Sequence, residues 1–266
     1  MTLSLIAFFS LTHFGIGIAW ALLLVSRAAG VKFFRFNAGL AALLLVGALA
    51  LRPRDLTLSA DVQGLALGAA MAATLALAAY WATIGRVRTV LRPFLLPAAA
   101  AFGLVALIGQ AAAATSNLPT VLTIASFLTS AALLGGTCTA MSLGHWFLVI
   151  PTMDVSHLRS IVKVHFWSTL LRVAVVAVVV CLAVARGVPE AGPSFERYLF
   201  SLDGMFFWQR VLFGLCGPAV LAYLAWETAK INSTQSATGI LYIDLFTVIV
   251  GEVLAKYLLV ATAVPV

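Results

Sequence analysis

The sequence predicts an all-α integral membrane protein, a bundle of eight transmembrane helices with both termini on the outer (periplasmic) side. Three observations support this: an apolar composition, eight apolar segments of membrane-spanning length, and basic residues concentrated in alternate loops. Of the 266 residues, 63% are hydrophobic and 9% are charged, and the mean hydropathy is +1.10. Soluble domains carry about 25% charged residues. So little polar surface excludes a soluble globule, and lipid is the expected solvent for most of the chain.

The eight apolar segments are each long enough to cross about 30 Å of hydrocarbon. They cover approximately residues 3–26, 34–51, 62–84, 94–115, 119–150, 157–185, 204–230 and 236–260. Positive charge follows the first segment instead of preceding it, so we expect a retained helix and not a cleaved signal peptide. No loop is long enough for a separate domain, and residues 1–266 are predicted to form a single polytopic membrane domain.

Basic residues predict the orientation of the bundle. The first, third and fifth loops carry the positive charge: Arg27, Lys32, Arg35, Arg86, Arg88, Arg92, Arg159 and Lys163. The sixth loop is net negative, with Arg186, Glu190, Glu196, Arg197 and Asp203. Cytoplasmic loops of membrane proteins are enriched in Lys and Arg. We therefore expect a multi-pass protein of a bacterial-type cytoplasmic (inner) membrane, in contact with lipid and not with nucleic acid.

Ionisable residues inside the segments indicate a functional region, because charge within the bilayer is costly. At 1.5 Å per residue, Arg172, Arg210 and Glu252 lie at similar depth on three consecutive helices, about 21–24 Å above the cytoplasmic side. The sequence therefore predicts that the three side chains form a buried charge cluster. Two alternatives stay open: a purely structural ion-pair knot, or snorkelling of Arg210 and Lys256 to the outer interface. Glu252 and Lys256 are also spaced to pair with each other.

Three histidines in or at the segments are candidate cofactor-binding residues. His145 and His165 lie on adjacent helices near glycines, and two such imidazoles can ligate a b-type haem. His13 lies within the first segment, where an imidazole can hydrogen-bond a quinone carbonyl. Structural roles remain the alternative for each, with a hydrogen-bonded helix end the favoured one for His145. Haem b or a quinone is thus the candidate cofactor.

The beginning of the last helix is unusually polar, with Ser233, Thr234, Gln235 and Ser236. We expect Ser and Thr side chains here to cap the helix, and a lipid head group or another anion is the alternative occupant.

In the seventh segment, Gly214, Gly217 and Pro218 predict a kink, because proline removes a backbone hydrogen bond. We find no metal-binding motif and no motif of a soluble enzyme, so the catalytic residues of any reaction remain unknown.

Three functions follow from these features. The first is an integral-membrane subunit of a respiratory-type electron-transfer complex, a quinone-binding or non-catalytic part of a larger oxidoreductase with other subunits as partners. In size, helix number and orientation the chain resembles the quinol-oxidising anchor subunits of molybdopterin-type reductases. That resemblance is architectural, and no residue is carried over from it. The second is a secondary transporter or proton-conducting protein that uses Arg172, Arg210 and Glu252. The third is an intramembrane lipid-modifying enzyme.

Overall fold

The computed structural model describes residues 2–53, 55–56, 61–87, 90–149, 154–185, 199–201 and 204–266. Within these ranges the chain is helical without strands, and eight helices are long and apolar enough to cross a membrane. The predicted all-α fold and the eight segments are therefore confirmed. Arg88 and the charged residues predicted for the sixth loop, from Arg186 to Asp203, lie outside the described residues.

The eight helices follow the predicted segments closely. They are α1 (Thr2–Leu24), α2 (Gly30–Ala50), α3 (Val62–Thr83), α4 (Arg92–Ala113), α5 (Thr120–Val149), α6 (Val155–Ala185), α7 (Met205–Lys230) and α8 (Thr234–Thr262). Large apolar side chains on their outer faces are exposed, among them Leu75 (71%) and Phe246 (69%). Such faces are compatible with lipid contact.

The main difference from the sequence prediction is the start of α2. Ser26 accepts a hydrogen bond from the backbone N–H of Ala28 and so begins a short 3₁₀ turn, which leads into the helix at Gly30. Lys32 and Arg35 therefore lie in the first turns of α2 and not in a loop. Long basic side chains at a helix end can still reach the membrane surface, and the Arg35 guanidinium lies 6.0 Å from the ring centre of Trp81.

Consecutive helices alternate in direction, so the two chain ends lie on the same side of the bundle. We call this side the terminal side and the other the opposite side. Helix α5 is central and packs against α1, α6 and α8, while α7 packs against α6 and α8. The first four helices associate mainly through α1–α2, α2–α3 and α3–α4 contacts. Arg172 and Glu252 therefore lie on helices that pack against α5, and Arg210 lies on the adjoining helix α7.

Two helix crossings depend on glycine. A Cβ atom on Gly135 of α5 would lie 1.8 Å from the carbonyl carbon of Gly17 on α1. A Cβ on Gly251 of α8 would lie 2.3 Å from Cα of Gly214 on α7. Small residues let transmembrane backbones approach closely. The second crossing is important for the site, because it brings α7 next to the acidic residue of α8.

Candidate functional site

Glu252 of α8 lies at the centre of a buried charge cluster. Arg172 of α6 donates from Nε to Oε1 (3.0 Å) and from Nη2 to Oε2 (3.2 Å). Arg210 of α7 donates from Nη2 to Oε1 at 2.7 Å. Both arginines are 0% exposed and Glu252 is 1% exposed. The structure thus brings together the three residues that the depth estimate placed at one level, and each guanidinium bonds the carboxylate directly.

Lys256 joins the same cluster and does not snorkel. Its Nζ donates to Glu252 Oε2 (3.3 Å) and to Ser130 Oγ of α5 (2.6 Å), and the residue is 2% exposed. Arg210 is likewise fully buried. The snorkelling alternative is therefore wrong for both residues. The reason is that Ser130 and Glu252 provide oxygen acceptors inside the bundle, where the Lys256 side chain can reach them.

Ser130 links His13 of α1 to the cluster. The Ser130 hydroxyl donates to Glu252 Oε2 (2.5 Å), and His13 Nδ1 lies 3.0 Å from Ser130 Oγ. A hydroxyl group has one proton to donate. Because that proton points to Glu252, His13 Nδ1 must carry the hydrogen of its bond to Ser130. Nε2 of His13 is then the acceptor nitrogen, and it is buried without a partner among the described residues.

The local structure of α7 explains how Arg210 is held. Pro218 has no N–H, so it cannot bond the carbonyl of Gly214 four residues earlier. Arg210 Nη1 donates to that carbonyl instead, at 2.6 Å. The helix widens into a π segment at Leu212–Cys216. Pro218, one of the residues predicted to kink α7, thus leaves the carbonyl of Gly214 free to accept from the buried guanidinium of Arg210.

A second buried group lies further toward the opposite side. His165 of α6 contacts Thr137 of α5 through Nδ1 (3.1 Å) and Asp244 of α8 through Nε2 (2.6 Å). His165 and Asp244 are both 0% exposed. The Thr137 hydroxyl donates its proton to the carbonyl of Leu133 at 2.7 Å, so Nδ1 of His165 must donate to Thr137.

The proton count of this second group has a chemical consequence. A hydrogen bond between His165 Nε2 and Asp244 Oδ2 needs one proton between the two atoms. With Nδ1 already protonated, the pair is either an imidazolium facing a carboxylate or a neutral imidazole facing a carboxylic acid. In both forms, His165 and Asp244 share one exchangeable proton. The other oxygen, Asp244 Oδ1, is buried and has no partner among the described residues.

An apolar layer separates the two groups. Asp244 and Glu252 are eight residues apart on α8, which corresponds to about 12 Å along the helix axis. Between them, Val248 of α8 and Leu133 of α5 are 0% exposed and pack in one cluster. Thr169 of α6 is also buried at this level, and its hydroxyl donates to the carbonyl of His165 (2.9 Å). No side-chain hydrogen bond among the described residues bridges the two groups.

His145 is placed differently from the other histidines. It is exposed, and its Nδ1 lies 2.8 Å from the hydroxyl of Tyr242 on α8. His145 and His165 share no hydrogen bond or ring contact among the described residues, because each turns to a different partner on α8. His165 has both ring nitrogens engaged within the bundle.

The polar residues at the start of α8 do not cap the helix as expected. Ser233 is the N-cap residue, but its hydroxyl donates to Ser236 Oγ (3.0 Å) and accepts no backbone N–H. Thr234 is partly buried, and Gln235 and Ser236 are exposed. The turn before α8 is instead held from α6, where Arg159 donates to the carbonyl of Ala229 and to the side-chain oxygen of Asn232.

Sequence reasoning missed the polar residues of α5 that complete both groups. Ser126 accepts a hydrogen bond from Arg172 Nη1 (2.8 Å), Ser130 bonds Glu252, and Thr137 bonds His165. These three residues lie on one helical face together with Leu133, because positions 126, 130, 133 and 137 are four, three and four residues apart. That periodicity is visible in the sequence and could have identified the face. No known protein family matches this sequence, and no curated protein matches it.

Proposed function

We propose that the protein conducts protons through the membrane interior along the α5–α6–α8 interface. The observation that carries the proposal is the 2.6 Å contact between His165 Nε2 and Asp244 Oδ2, two side chains that are fully buried within membrane-spanning helices. Ionisable residues inside membrane spans commonly form proton relays. A histidine paired with a carboxylate can accept a proton from one direction and release it in another without a large change of structure.

The Glu252 cluster provides the second station of the relay. Guanidinium groups stay protonated, so Arg172 and Arg210 act as fixed charges that hold the carboxylate in place. Lys256, Glu252 and His13 are the members that can gain or lose a proton, and Ser130 connects all three. The lone pair of His13 Nε2 can accept a proton on the α1 side of the cluster.

Proton transfer between the two stations requires the apolar layer between them to open. A gap of about 12 Å is too long for direct proton transfer, and Leu133 and Val248 exclude water from it. Hydrophobic constrictions of this kind act as gates in other membrane pathways. In the proposed cycle, a local opening of this layer admits water and connects the stations. The terminal side faces outward in this proposal, because the opposite side carries most of the basic residues.

Proton flux into liposomes tests the proposal. Purified protein is reconstituted with a trapped pH-sensitive dye, and a potassium diffusion potential set by valinomycin drives proton entry. Wild-type protein should acidify the lumen faster than empty liposomes, and Asp244→Asn should lower the protein-dependent rate at least tenfold, because the shared proton is lost. Asp154→Asn, which changes an exposed carboxylate before α6, is the matched control and should conduct normally. Equal rates for wild-type and empty liposomes would refute the proposal.

A second candidate function is the membrane subunit of an electron-transfer complex with partner subunits. The observation favouring it is His145, which is exposed and bonded through Nδ1 to Tyr242, so that Nε2 is available to a quinone carbonyl or a haem iron. His165 is the weaker ligand candidate because both of its ring nitrogens are engaged. A reduced-minus-oxidised spectrum of the purified protein tests haem binding, and b-type bands lost in His145→Ala would favour this second function.

A further inference from the structure

A cavity of about 420 Å³ lies at the terminal side of the bundle. It is lined by α1, α3, α4 and α8 and by the segment after α2. Its walls are largely apolar, with Phe8, Phe9, Leu67 and Leu259 among the lining residues. Small-molecule sites have volumes of about 300–1,000 Å³ and are lined mainly by apolar side chains with a few polar groups. The cavity has the size and lining of such a site.

Gln110 of α4 is the unusual residue of this cavity. It lines the cavity and is 5% exposed, yet neither its side-chain oxygen nor its nitrogen has a hydrogen-bond partner among the described residues. Buried polar side chains are nearly always hydrogen-bonded, because an unpaired buried amide is costly. An amide left without partners in a cavity of ligand size indicates that a bound molecule supplies them.

The chemistry of the lining restricts that molecule. Gln110 offers one acceptor oxygen and two donor hydrogens, so a ligand hydroxyl can donate to its oxygen or accept from its nitrogen, and a ligand carbonyl oxygen can accept from its nitrogen. The acidic lining residue, Asp55, is exposed, and no buried charged residue lines the cavity. We infer that this cavity binds a neutral apolar molecule whose head group carries hydroxyl or carbonyl oxygens, and that Gln110 hydrogen-bonds this head group. Quinones with their quinols, and neutral glycerolipids, are the two sources of this chemistry.

The cavity lies next to the Glu252 cluster. Phe9 is one helical turn from His13, and their ring centroids are 6.3 Å apart. Leu259 follows Lys256 by three residues on α8, so the two side chains neighbour each other along that helix. A ligand in the cavity would therefore sit beside the His13 end of the proposed relay. The binding inference itself depends only on the cavity and Gln110, and it holds with or without proton conduction.

Calorimetric titration of the purified protein in detergent tests the inference. The probes are decyl-ubiquinol, decyl-ubiquinone and dioctanoylglycerol. We expect saturable binding of at least one probe, with at least tenfold lower affinity in Gln110→Leu. Ala113→Phe, which fills the cavity from α4, should abolish binding. Gln209→Leu makes the same change at an exposed position of α7 and should keep wild-type affinity.

Thermal unfolding of the ligand-free variants separates a binding role from a structural one. Gln110→Leu removes an unpaired buried amide, so its unfolding temperature should equal or exceed that of the wild type. Binding of the quinol or quinone identifies a quinone site, whereas binding of dioctanoylglycerol alone identifies a lipid site. The inference is overturned if no probe binds, or if Gln110→Leu binds the probes with wild-type affinity, whatever its unfolding temperature. Asp244→Asn should bind like the wild type, so failure of the relay leaves this result unaffected.

Discussion

At the scale of single residues, Glu252 determines whether the second half of the bundle can bury its charges. One carboxylate accepts hydrogen bonds from two arginines, one lysine and one serine. Each of these donors loses its hydration when the helices pack, and the carboxylate replaces part of it as a shared acceptor. Removing one partner of a buried ion pair is more damaging than never having built the pair, because the remaining charges stay buried and uncompensated.

Glu252→Gln should therefore destabilise the protein strongly. The amide keeps the shape of the side chain but removes its charge, which leaves Arg172 and Arg210 without a counter-charge. We expect a loss of about 3–5 kcal/mol in the free energy of unfolding, measured by denaturant titration in mixed micelles. Glu227→Gln is the matched control, because Glu227 forms an exposed pair with Lys230 and such pairs contribute about 0–1 kcal/mol. Similar losses in both variants would contradict the central role of Glu252.

At the scale of helices, the apolar layer is the element that sets the proposed conductance. Val248 and Leu133 project from α8 and α5 at the same level, and both are fully buried. On α5, Ser130 and Thr137 lie three residues before and four residues after Leu133. On α8, Asp244 and Glu252 lie four residues before and after Val248, so on each helix the polar and apolar side chains share one face. The layer is thus an interruption in an otherwise polar path, and it blocks transfer while it stays dry.

A polar side chain in this layer should raise proton leakage. Val248→Ser replaces a buried isopropyl group with a smaller group that can hold water, and it shortens the dry gap between Asp244 and Glu252. In the liposome assay we expect at least a threefold higher rate of lumen acidification. The same substitution at Val253, which is 41% exposed on α8, should leave the rate unchanged. A Val248→Ser rate at or below that of the wild type would show that this layer is not the barrier.

The contact between α7 and α8 is the second element that the site requires. Gly251→Ala would place its Cβ 2.3 Å from Cα of Gly214 and 3.0 Å from Arg210 Nη1, so the helices must separate. Overpacking of this kind costs about 1–3 kcal/mol, and we expect an unfolding temperature below that of the wild type. Gly239→Ala on the same helix meets no atom within 4 Å and should be neutral or stabilising, since alanine favours helix. A Gly251→Ala variant of wild-type stability would show that the crossing tolerates a wider spacing.

At the scale of the whole molecule, the sequence predicts the helices well and the side-chain partners only in part. Helix lengths follow from hydrophobic thickness, and depth alone places Arg172, Arg210 and Glu252 at one level. Depth does not specify which way a side chain turns. The pairing of His165 with Asp244 depends on the relative rotation of α6 and α8, which packing determines. For the same reason, the proximity of His145 to His165 in depth did not predict that each would bond a different partner.

The distribution of charge over the whole bundle predicts its orientation. The described basic residues concentrate on the opposite side, with Arg27, Arg35, Arg86 and Arg159 among them, and cytoplasmic loops are enriched in such residues. Eight spans put both chain ends on one side, so a single orientation experiment fixes every loop. Single cysteines are needed for labelling, in a background from which Cys138, Cys181 and Cys216 have been removed.

Val90→Cys and Asn117→Cys place a thiol on the two sides of the bundle. Val90 is 87% exposed between α3 and α4, and Asn117 is exposed between α4 and α5. Because the α3–α4 loop lies on the basic side, a membrane-impermeant maleimide should label Val90→Cys only after the cells are permeabilised. The same reagent should label Asn117→Cys in intact cells, because that position is expected to face outward. The reverse labelling pattern would invert the topology, and with it the side from which protons enter the proposed relay.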